Sequence, residues 1–292
     1  MSRAGRVALP LVSTDWLAAE LGAGDLVVAD ASVEKIVLPD GGATRRPARA
    51  AFRDEGHVVG AQFADLVNDF SDPSAPFAFA RPDAPRKERA AGALGVAEES
   101  RVVVYDRTNG VWAARLWWLL RAYGHDAVSV LDGGFKKWTR EGRPVAFGEI
   151  PNPTAAFRAL PRQGYFVDKP DVVAVVEGRA PGRLVCVLRP PVFSGEERVY
   201  ARAGHIPGSL NIPYVDQIEA PTNAFRTTDE LGRLLAPALA GAGPLILYCG
   251  GGVTAAGSAL ALTLLGVRDV AVYDGSLNEW TADPNLPLRA GP

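Results

Sequence analysis

Short apolar runs alternate along the chain with stretches in which apolar residues recur at helical spacing. The runs are continuous and rich in β-branched residues, which is typical of strands buried on both faces of a parallel sheet. Residues 112–123 and 254–265 predict helices, and each is followed by a glycine suited to a helix C-terminus. The pattern therefore predicts an α/β fold in which helices cover both faces of a parallel sheet. The predicted strands are 26–29, 102–105, 128–131, 184–188, 245–248 and 270–273.

Three short motifs of the first half recur in the second half in the same order. The pairs are HVVGA at 57–61 with HIPGS at 205–209, RVVVYD at 101–106 with PLILYC at 244–249, and LDGG at 131–134 with YDGS at 273–276. A shared order at similar separations indicates a duplicated supersecondary unit. The sequence therefore predicts two tandem copies of one fold.

The length of the chain fits two copies. A chain of 292 residues is long for one domain and comfortable for two. The stretch 142–161 holds four prolines and little periodicity, which is typical of a linker. We therefore predict a first domain over 1–141, a linker over 142–161 and a second domain over 162–292. Segments 31–51 and 69–85 are expected to be long loops.

Composition narrows the range of partners and settings. The formal net charge is −2, with 31 basic and 33 acidic residues, so no basic excess is available for nucleic acid or an anionic membrane. No run approaches the ~20 apolar residues of a membrane span, and the first residues do not resemble a secretory signal. Two cysteines and three scattered histidines do not make a disulfide framework or a metal site. We expect a cytoplasmic protein without a metal.

The most reactive candidate is Cys249. It follows the predicted strand 245–248 and precedes a predicted helix, and ligands of open parallel sheets bind beyond the carboxyl ends of the strands. Three glycines after it let the backbone curl with its N–H groups inward, and the helix N-terminus adds positive potential. Such a loop stabilises negative charge on the sulfur, and Thr254 is expected to cap the helix. The predicted substrate-binding residues of this loop are Gly250, Gly251, Gly252, Val253 and Thr254.

A phosphatase or arsenate reductase is the main alternative for a cysteine loop of this kind. A Cys-x5-Arg loop needs an arginine six residues after the nucleophile to bind phosphoryl oxygens. Ala255 occupies that position here. The sequence therefore argues against phosphoryl chemistry.

The motifs together resemble those of rhodanese-like sulfurtransferases. CGGGVTA at 249–255 resembles the persulfide loop of that family, and HIPGS at 205–209 and YDGSLNEW at 273–280 resemble its other two motifs. VSTDWL at 12–17 is similar to the usual start of the two-domain members. The resemblance implies that Cys249 takes sulfane sulfur from a small donor, 3-mercaptopyruvate or thiosulfate. The sulfur is carried as a persulfide and passed to a thiol, cyanide or a protein acceptor, by ping-pong kinetics and without a cofactor.

The first copy has Asp106 where the second has Cys249. A carboxylate cannot carry sulfane sulfur, so the first domain is predicted to be catalytically silent. The alternative for the whole chain is a sulfur-relay or protein-binding module that keeps the fold without turnover. Cys186 falls in a predicted strand and is expected to be a buried, inert thiol.

The chain departs from the family pattern at the anion-binding arginines. Aligned without gaps on Phe193, the two expected arginine positions read Leu188 and Val192, and Arg189 is the remaining candidate. The serine typical of mercaptopyruvate enzymes is Gly251. Because thiosulfate is a compact dianion that needs fixed positive charge, we predict a preference for 3-mercaptopyruvate.

Overall fold

The computed structural model describes residues 8–39, 42–151 and 154–291. The chain divides into two compact units. The first comprises the residues up to Pro73 together with Arg81–Arg162 and Pro221–Ala224, and the second comprises Ser74–Ala80, Gln163–Ala220 and Phe225 onward. Each unit therefore includes one short segment from the other half of the sequence.

The first unit is built on a five-stranded sheet in the order β1-β8-β7-β2-β6, in which every neighbouring pair is parallel. Helix α4 is buried along almost its whole length, and Trp117 in its middle is fully buried. Its elements are β1 (Leu11–Val12), α1 (Thr14–Glu20), β2 (Leu26–Asp30), β3 (Val33–Val37), β4 (Ala43–Pro47), α2 (Arg49–Asp54), β5 (His57–Val58), β6 (Gln62–Phe63), α3 (Ala84–Ala93), β7 (Arg101–Tyr105), α4 (Val111–Ala122), β8 (Val128–Leu131), α5 (Gly134–Arg140) and β9 (Val145–Ala146).

The second unit repeats this sheet in the order β10-β14-β13-β11-β12, again with parallel pairs throughout. Its central strand β13 is buried at every position, as a strand covered on both faces must be. Its elements are β10 (Phe166–Val167), α6 (Lys169–Val176), β11 (Arg183–Cys186), α7 (Pro190–Ser194), β12 (Leu210–Asn211), a 3-10 turn (Tyr214–Gln217), α8 (Thr228–Leu239), β13 (Leu245–Tyr248), α9 (Val253–Leu264), β14 (Val270–Tyr273) and α10 (Ser276–Trp280).

The duplication extends to individual hydrogen bonds. In each unit a buried tyrosine at the end of the central strand accepts a backbone N–H of the histidine motif, and a fully buried tryptophan donates to a proline carbonyl. The paired bonds are Val58 N to Tyr105 Oη (3.1 Å) and Ile206 N to Tyr248 Oη (3.2 Å), then Trp138 Nε1 to Pro144 O and Trp280 Nε1 to Pro287 O (both 2.9 Å). The predicted α/β fold with two copies of one parallel-sheet unit is confirmed.

The prediction of a long loop over 31–51 is wrong. Strands β3 and β4 form an antiparallel hairpin there, and α2 begins at Arg49. The hairpin is a two-stranded ribbon in which β4 is largely exposed, with a bond of 2.9 Å from Arg46 to Glu34 across it. Because neither strand is a continuous buried run, the apolar pattern that identifies the sheet strands is missing from both.

Element boundaries differ slightly from those predicted. β13 and β14 match their predicted ranges, whereas β11 ends at Cys186 rather than at residue 188. The chain leaves the sheet there because Pro190 and Pro191 begin α7 and cannot donate to a strand ladder. No helix within the described ranges is long and apolar enough to cross a membrane.

Candidate active site

Cys249 lies in the loop between the central strand β13 and helix α9 of the second unit. Its side chain is only 2% exposed, and its thiol is free rather than disulfide-bonded. Gly252 precedes α9 with a φ of +71°, a left-handed conformation that favours glycine. The N-cap position is therefore Gly252, and Thr254 lies inside the helix, so the prediction that Thr254 caps the helix is wrong.

Ser276 ties the cysteine loop to the end of the neighbouring strand. Its hydroxyl accepts the backbone N–H groups of Cys249 and Gly252, each at 3.1 Å, and donates to Tyr273 O at 2.7 Å. Ser276 holds a φ of +46°, which L-residues rarely adopt. The equivalent residue of the first copy is Gly134, with a φ of +55°. Sequence reasoning missed Ser276, although the aligned repeat offers a signal because glycine stands at its counterpart.

In the first unit, the loop between the central strand and the next helix surrounds a carboxylate of its own. The carboxylate of Asp106, the counterpart of Cys249, accepts five hydrogen bonds of 2.8–3.1 Å. Four come from backbone N–H groups and one from a hydroxyl. The donors are Thr108 N, Thr108 Oγ1, Gly110 N, Trp112 N and Ala113 N. A strand–loop–helix junction of this fold therefore surrounds a negative group with backbone dipoles.

The second unit has the same junction without the carboxylate. Val253, Thr254 and Ala255 form the first turn of α9, and the N–H groups of a first turn have no carbonyl partner within their helix. Two of them, Thr254 and Ala255, align with the Trp112 and Ala113 donors of the first copy. The geometry can therefore stabilise an anionic sulfur on Cys249 with backbone dipoles alone.

Arg189 forms an ion pair with Glu197. It precedes α7, and its Nη2 lies 2.9 and 2.7 Å from the two carboxylate oxygens of Glu197. Its side chain is 54% exposed. Leu188 is partly buried and Val192 is buried, so neither expected arginine position carries a charge. The guanidinium of Arg189 thus forms an exposed ion pair with Glu197.

Cys186 is buried in β11, directly opposite Tyr248 in the sheet register. Burial raises the pKa of its thiol to about 12, despite hydrogen bonds that act in the other direction. A thiol with this pKa is protonated at neutral pH and is a poor nucleophile. His205 is also structural, since its Nδ1 lies 2.9 Å from Phe193 O and its ring stacks on Phe193.

Two further side chains lie against the glycines of the cysteine loop, and neither was singled out from the sequence. The hydroxyl and ring of Tyr200 occupy the space that a side chain at Gly250 would need. The Nδ2 atom of Asn278 lies 3.0 Å from the position of a Cβ at Gly251, and the carbonyl oxygen of Ala78 lies 3.5 Å from it. A side chain at either glycine would therefore displace a neighbouring side chain, and neither glycine has a left-handed φ.

Comparison with known proteins identifies the class. The rhodanese-like domain model matches residues 13–141 and again 170–283. The chain is 36% identical to 3-mercaptopyruvate sulfurtransferase of Rattus norvegicus over 96% of this chain and 95% of the relative. It is 34% identical to thiosulfate sulfurtransferase of Cricetulus griseus over 96% of this chain and 95% of that one. The crystal structure of SseA from Escherichia coli, described as a 3-mercaptopyruvate sulfotransferase with the rhodanese fold, superposes with a TM-score of 0.80.

SseA is 30% identical, and the superposition covers 92% of this chain and 99% of SseA. The fold defines an α/β protein with two copies of a parallel-sheet unit, the second of which carries a cysteine between its central strand and the following helix. The chain belongs to the rhodanese family. The predictions of the family, of two rhodanese-like domains and of an enzyme of the sulfurtransferase class are confirmed.

Proposed function

We propose that this protein transfers sulfane sulfur from a small donor, with 3-mercaptopyruvate preferred over thiosulfate, to a thiol or cyanide through a persulfide on Cys249. The observation that carries the proposal is the loop Cys249–Val253. It is held to the sheet by Ser276 and followed by a helix whose first-turn N–H groups face no helical carbonyl. The Asp106 carboxylate in the matching loop of the first unit supports an anionic occupant.

The first half-reaction is a displacement at the donor sulfur. The Cys249 thiolate attacks the sulfur of 3-mercaptopyruvate and forms the new S–S bond. The C–S bond breaks, and the carbon carries its electron pair away as the pyruvate enolate, which then takes up a proton. The product is pyruvate and a Cys249 persulfide, whose terminal sulfur lies among the backbone N–H groups.

The second half-reaction returns the enzyme to its starting state. A thiolate or cyanide attacks the terminal sulfur, the S–S bond breaks, and the electron pair returns to Cys249 as the thiolate. The acceptor leaves as a persulfide or as thiocyanate. The two half-reactions share one sulfur and need no external oxidant or reductant, so a resident cofactor has no role in them. A protein thiol is an acceptor of the same chemistry.

The preference for 3-mercaptopyruvate follows from charge. Thiosulfate is a compact dianion that calls for fixed cations near the sulfur acceptor. Gly250, Gly251 and Gly252 supply none, and Arg189 is paired with Glu197. 3-Mercaptopyruvate carries one carboxylate on a carbon chain and depends less on such cations. We expect kcat/KM for 3-mercaptopyruvate to exceed that for thiosulfate at least about tenfold, or ~1.4 kcal/mol.

The test combines donor kinetics with intact-protein mass spectrometry. The parent protein and Cys186→Ser should each gain one sulfur that cyanide removes, and Cys249→Ser should gain none. A Cys249→Ser protein that still acquires the sulfur refutes the assignment of the carrier. Equal or reversed kcat/KM values refute the donor preference. A protein that loads sulfur on Cys249 but does not turn over is a relay module instead of an enzyme.

A further inference from the structure

Glycine occupies the three positions after Cys249 for different physical reasons. Gly252 has a left-handed φ of +71°, whereas Gly250 and Gly251 lack such a φ and are small because neighbouring groups occupy their Cβ space. At Gly251 the nearest of these groups is the side-chain amide of Asn278, with Nδ2 at 3.0 Å from the Cβ position. A polar donor from elsewhere in the sequence therefore stands where a side chain of residue 251 would begin.

Asn278 is held in this place by its backbone. It lies in α10, two residues after Ser276, and its N–H donates to Gly250 O at 2.8 Å. Leu277 N donates to Cys249 O at 3.1 Å in the same turn. Two consecutive hydrogen bonds therefore fix the start of α10 against the cysteine loop and keep the Asn278 backbone next to it.

The Asn278 amide is available to a ligand. The residue is exposed, and within the part of the chain that the structure describes no protein group hydrogen-bonds its side chain. The neighbouring acid Glu279 accepts a hydrogen bond from the Tyr273 hydroxyl at 2.9 Å and is not a partner of the Asn278 amide. A primary amide has two N–H donors that suit a carboxylate or a ketone oxygen.

We propose that Asn278 is a substrate-binding residue that selects an α-keto acid donor by hydrogen-bonding its carboxylate or ketone oxygen, in place of a side chain at position 251. This inference rests on the proposed function. An uncharged amide adds no net positive charge, so it favours 3-mercaptopyruvate over thiosulfate. Tyr200 closes the other side by packing on Gly250.

The experiment is a mutant cycle with both donors. Asn278→Ala should lower kcat/KM for 3-mercaptopyruvate at least about tenfold, mainly through KM, and that for thiosulfate less than about threefold. Asn278→Asp should lower the former further by repelling the carboxylate. Gly251→Ser should also be impaired, because its side chain meets the amide at 3.0 Å. The double variant Gly251→Ser/Asn278→Ala should recover to within about threefold of the parent, because the serine hydroxyl replaces the missing donor.

Asn285→Ala, at an exposed asparagine, is the matched control and should leave both values unchanged. Mass spectrometry of Cys249 persulfide separates the two proposals. If the parent loads Cys249 and Asn278→Ala keeps its kcat/KM for both donors within about twofold, this inference fails alone. Equal losses with both donors, together with a lower melting temperature, also refute it by showing a structural role. If the parent loads no sulfur from either donor, both proposals fail.

Discussion

The Asp106 carboxylate in the first unit fills the kind of loop that is left open around Cys249. Its five hydrogen bonds come from its own loop and from the start of α4, so the residue completes that junction by itself. A loop already occupied by a covalently attached anion has no room for a second one. This occupancy supports the prediction that the first unit is catalytically silent, in addition to the absence of a thiol.

Asp106→Ala should therefore separate stability from activity. Removing the carboxylate leaves four backbone donors without their acceptor, two of them buried, and we expect the free energy of unfolding of the first unit to fall by at least ~2 kcal/mol. The kcat of the folded protein should stay within about threefold, or ~0.7 kcal/mol. Urea unfolding and steady-state kinetics on one preparation measure both. A loss of kcat of about a hundredfold in folded protein would mean that the first unit takes part in the chemistry.

Lys87 of the first unit is a buried amine without a hydrogen-bond partner among the described residues. It is fully buried in α3, its Nζ has no hydrogen-bond partner among the described residues, and it lies 4.3 Å from the centre of the Phe70 ring. Burial holds the pKa of Lys87 well below its usual value, and the charge of Arg115 acts in the same direction. His125 also faces this amine. The folded protein therefore keeps Lys87 neutral at a pH where the unfolded chain protonates it.

Lys87→Met should stabilise the protein at neutral pH. Unfolding takes up a proton at Lys87 below the unfolded pKa of ~10.4, so the parent gains stability as pH rises towards that value. The variant should gain ~1–3 kcal/mol at pH 7, and the gain should shrink towards pH 10. Denaturant unfolding at both pH values is the measurement, with exposed Lys35→Met as the control. A variant that is less stable than the parent at every pH contradicts the expectation.

At the scale of elements, the cysteine loop that follows β13 is hydrogen-bonded to the turn that follows β14. The Ser276 hydroxyl makes these hydrogen bonds, to Gly252 N and Cys249 N, which lie 24 and 27 residues earlier. Ser276 adopts a left-handed backbone conformation in this position. The first copy makes the same turn with Gly134, where a Cβ would lie 2.5 Å from Asp106 O. The serine is thus retained for its hydroxyl and not for its backbone.

Two substitutions of Ser276 distinguish these contributions. Ser276→Ala and Ser276→Gly both remove the acceptor of Cys249 N and Gly252 N, and both should lose at least about tenfold in kcat/KM because the loop is no longer anchored. The glycine variant should be more stable than the alanine variant by ~1 kcal/mol, since it relieves the left-handed strain. Kinetics and thermal unfolding of the pair test this. Parental activity in both variants would show that the hydroxyl does not position the loop.

At the scale of the whole molecule, each unit is completed by a segment from the other half of the sequence. The second unit includes Ser74–Ala80, whose Ala78 carbonyl lies beside Gly251 and whose Phe79 adopts a left-handed φ of +63°. The first unit includes Pro221–Ala224, in which the Asn223 amide donates to Thr108 O beside the Asp106 loop. The two segments have corresponding places next to the two loops.

Exchanging each segment for a glycine–serine linker of equal length tests their roles. Replacing Ser74–Ala80 should lower kcat/KM at least about tenfold, because one side of the Cys249 loop is lost. Replacing Pro221–Ala224 is the matched control, since it should lower stability but leave kcat within about threefold. Full activity after the first replacement would rule out a contribution of Ser74–Ala80 to the site.

Three strands of each parallel sheet and the position of Cys249 could be predicted from sequence, because each depends on residues close together in the chain. The two-residue strands β1, β6, β10 and β12 were not predicted, since two residues are too few to make an apolar run. A buried strand is a short continuous apolar run, and duplication repeats that run with the same motifs. The β3–β4 hairpin could not be predicted in this way, since an exposed ribbon carries no such run. Cys249 was recognisable because strand, glycines and helix are contiguous.

The tertiary structure alone decided which distant side chains meet around that cysteine. Ser276 binds the loop from 27 residues away, and Asn278 lies against the Cβ space of Gly251. Apolar periodicity carries no information on these contacts because they depend on how strands and turns are placed in three dimensions. Local patterns thus determined the fold and the position of Cys249 after a central strand, and packing across the carboxyl edge of the sheet determined which side chains surround that cysteine.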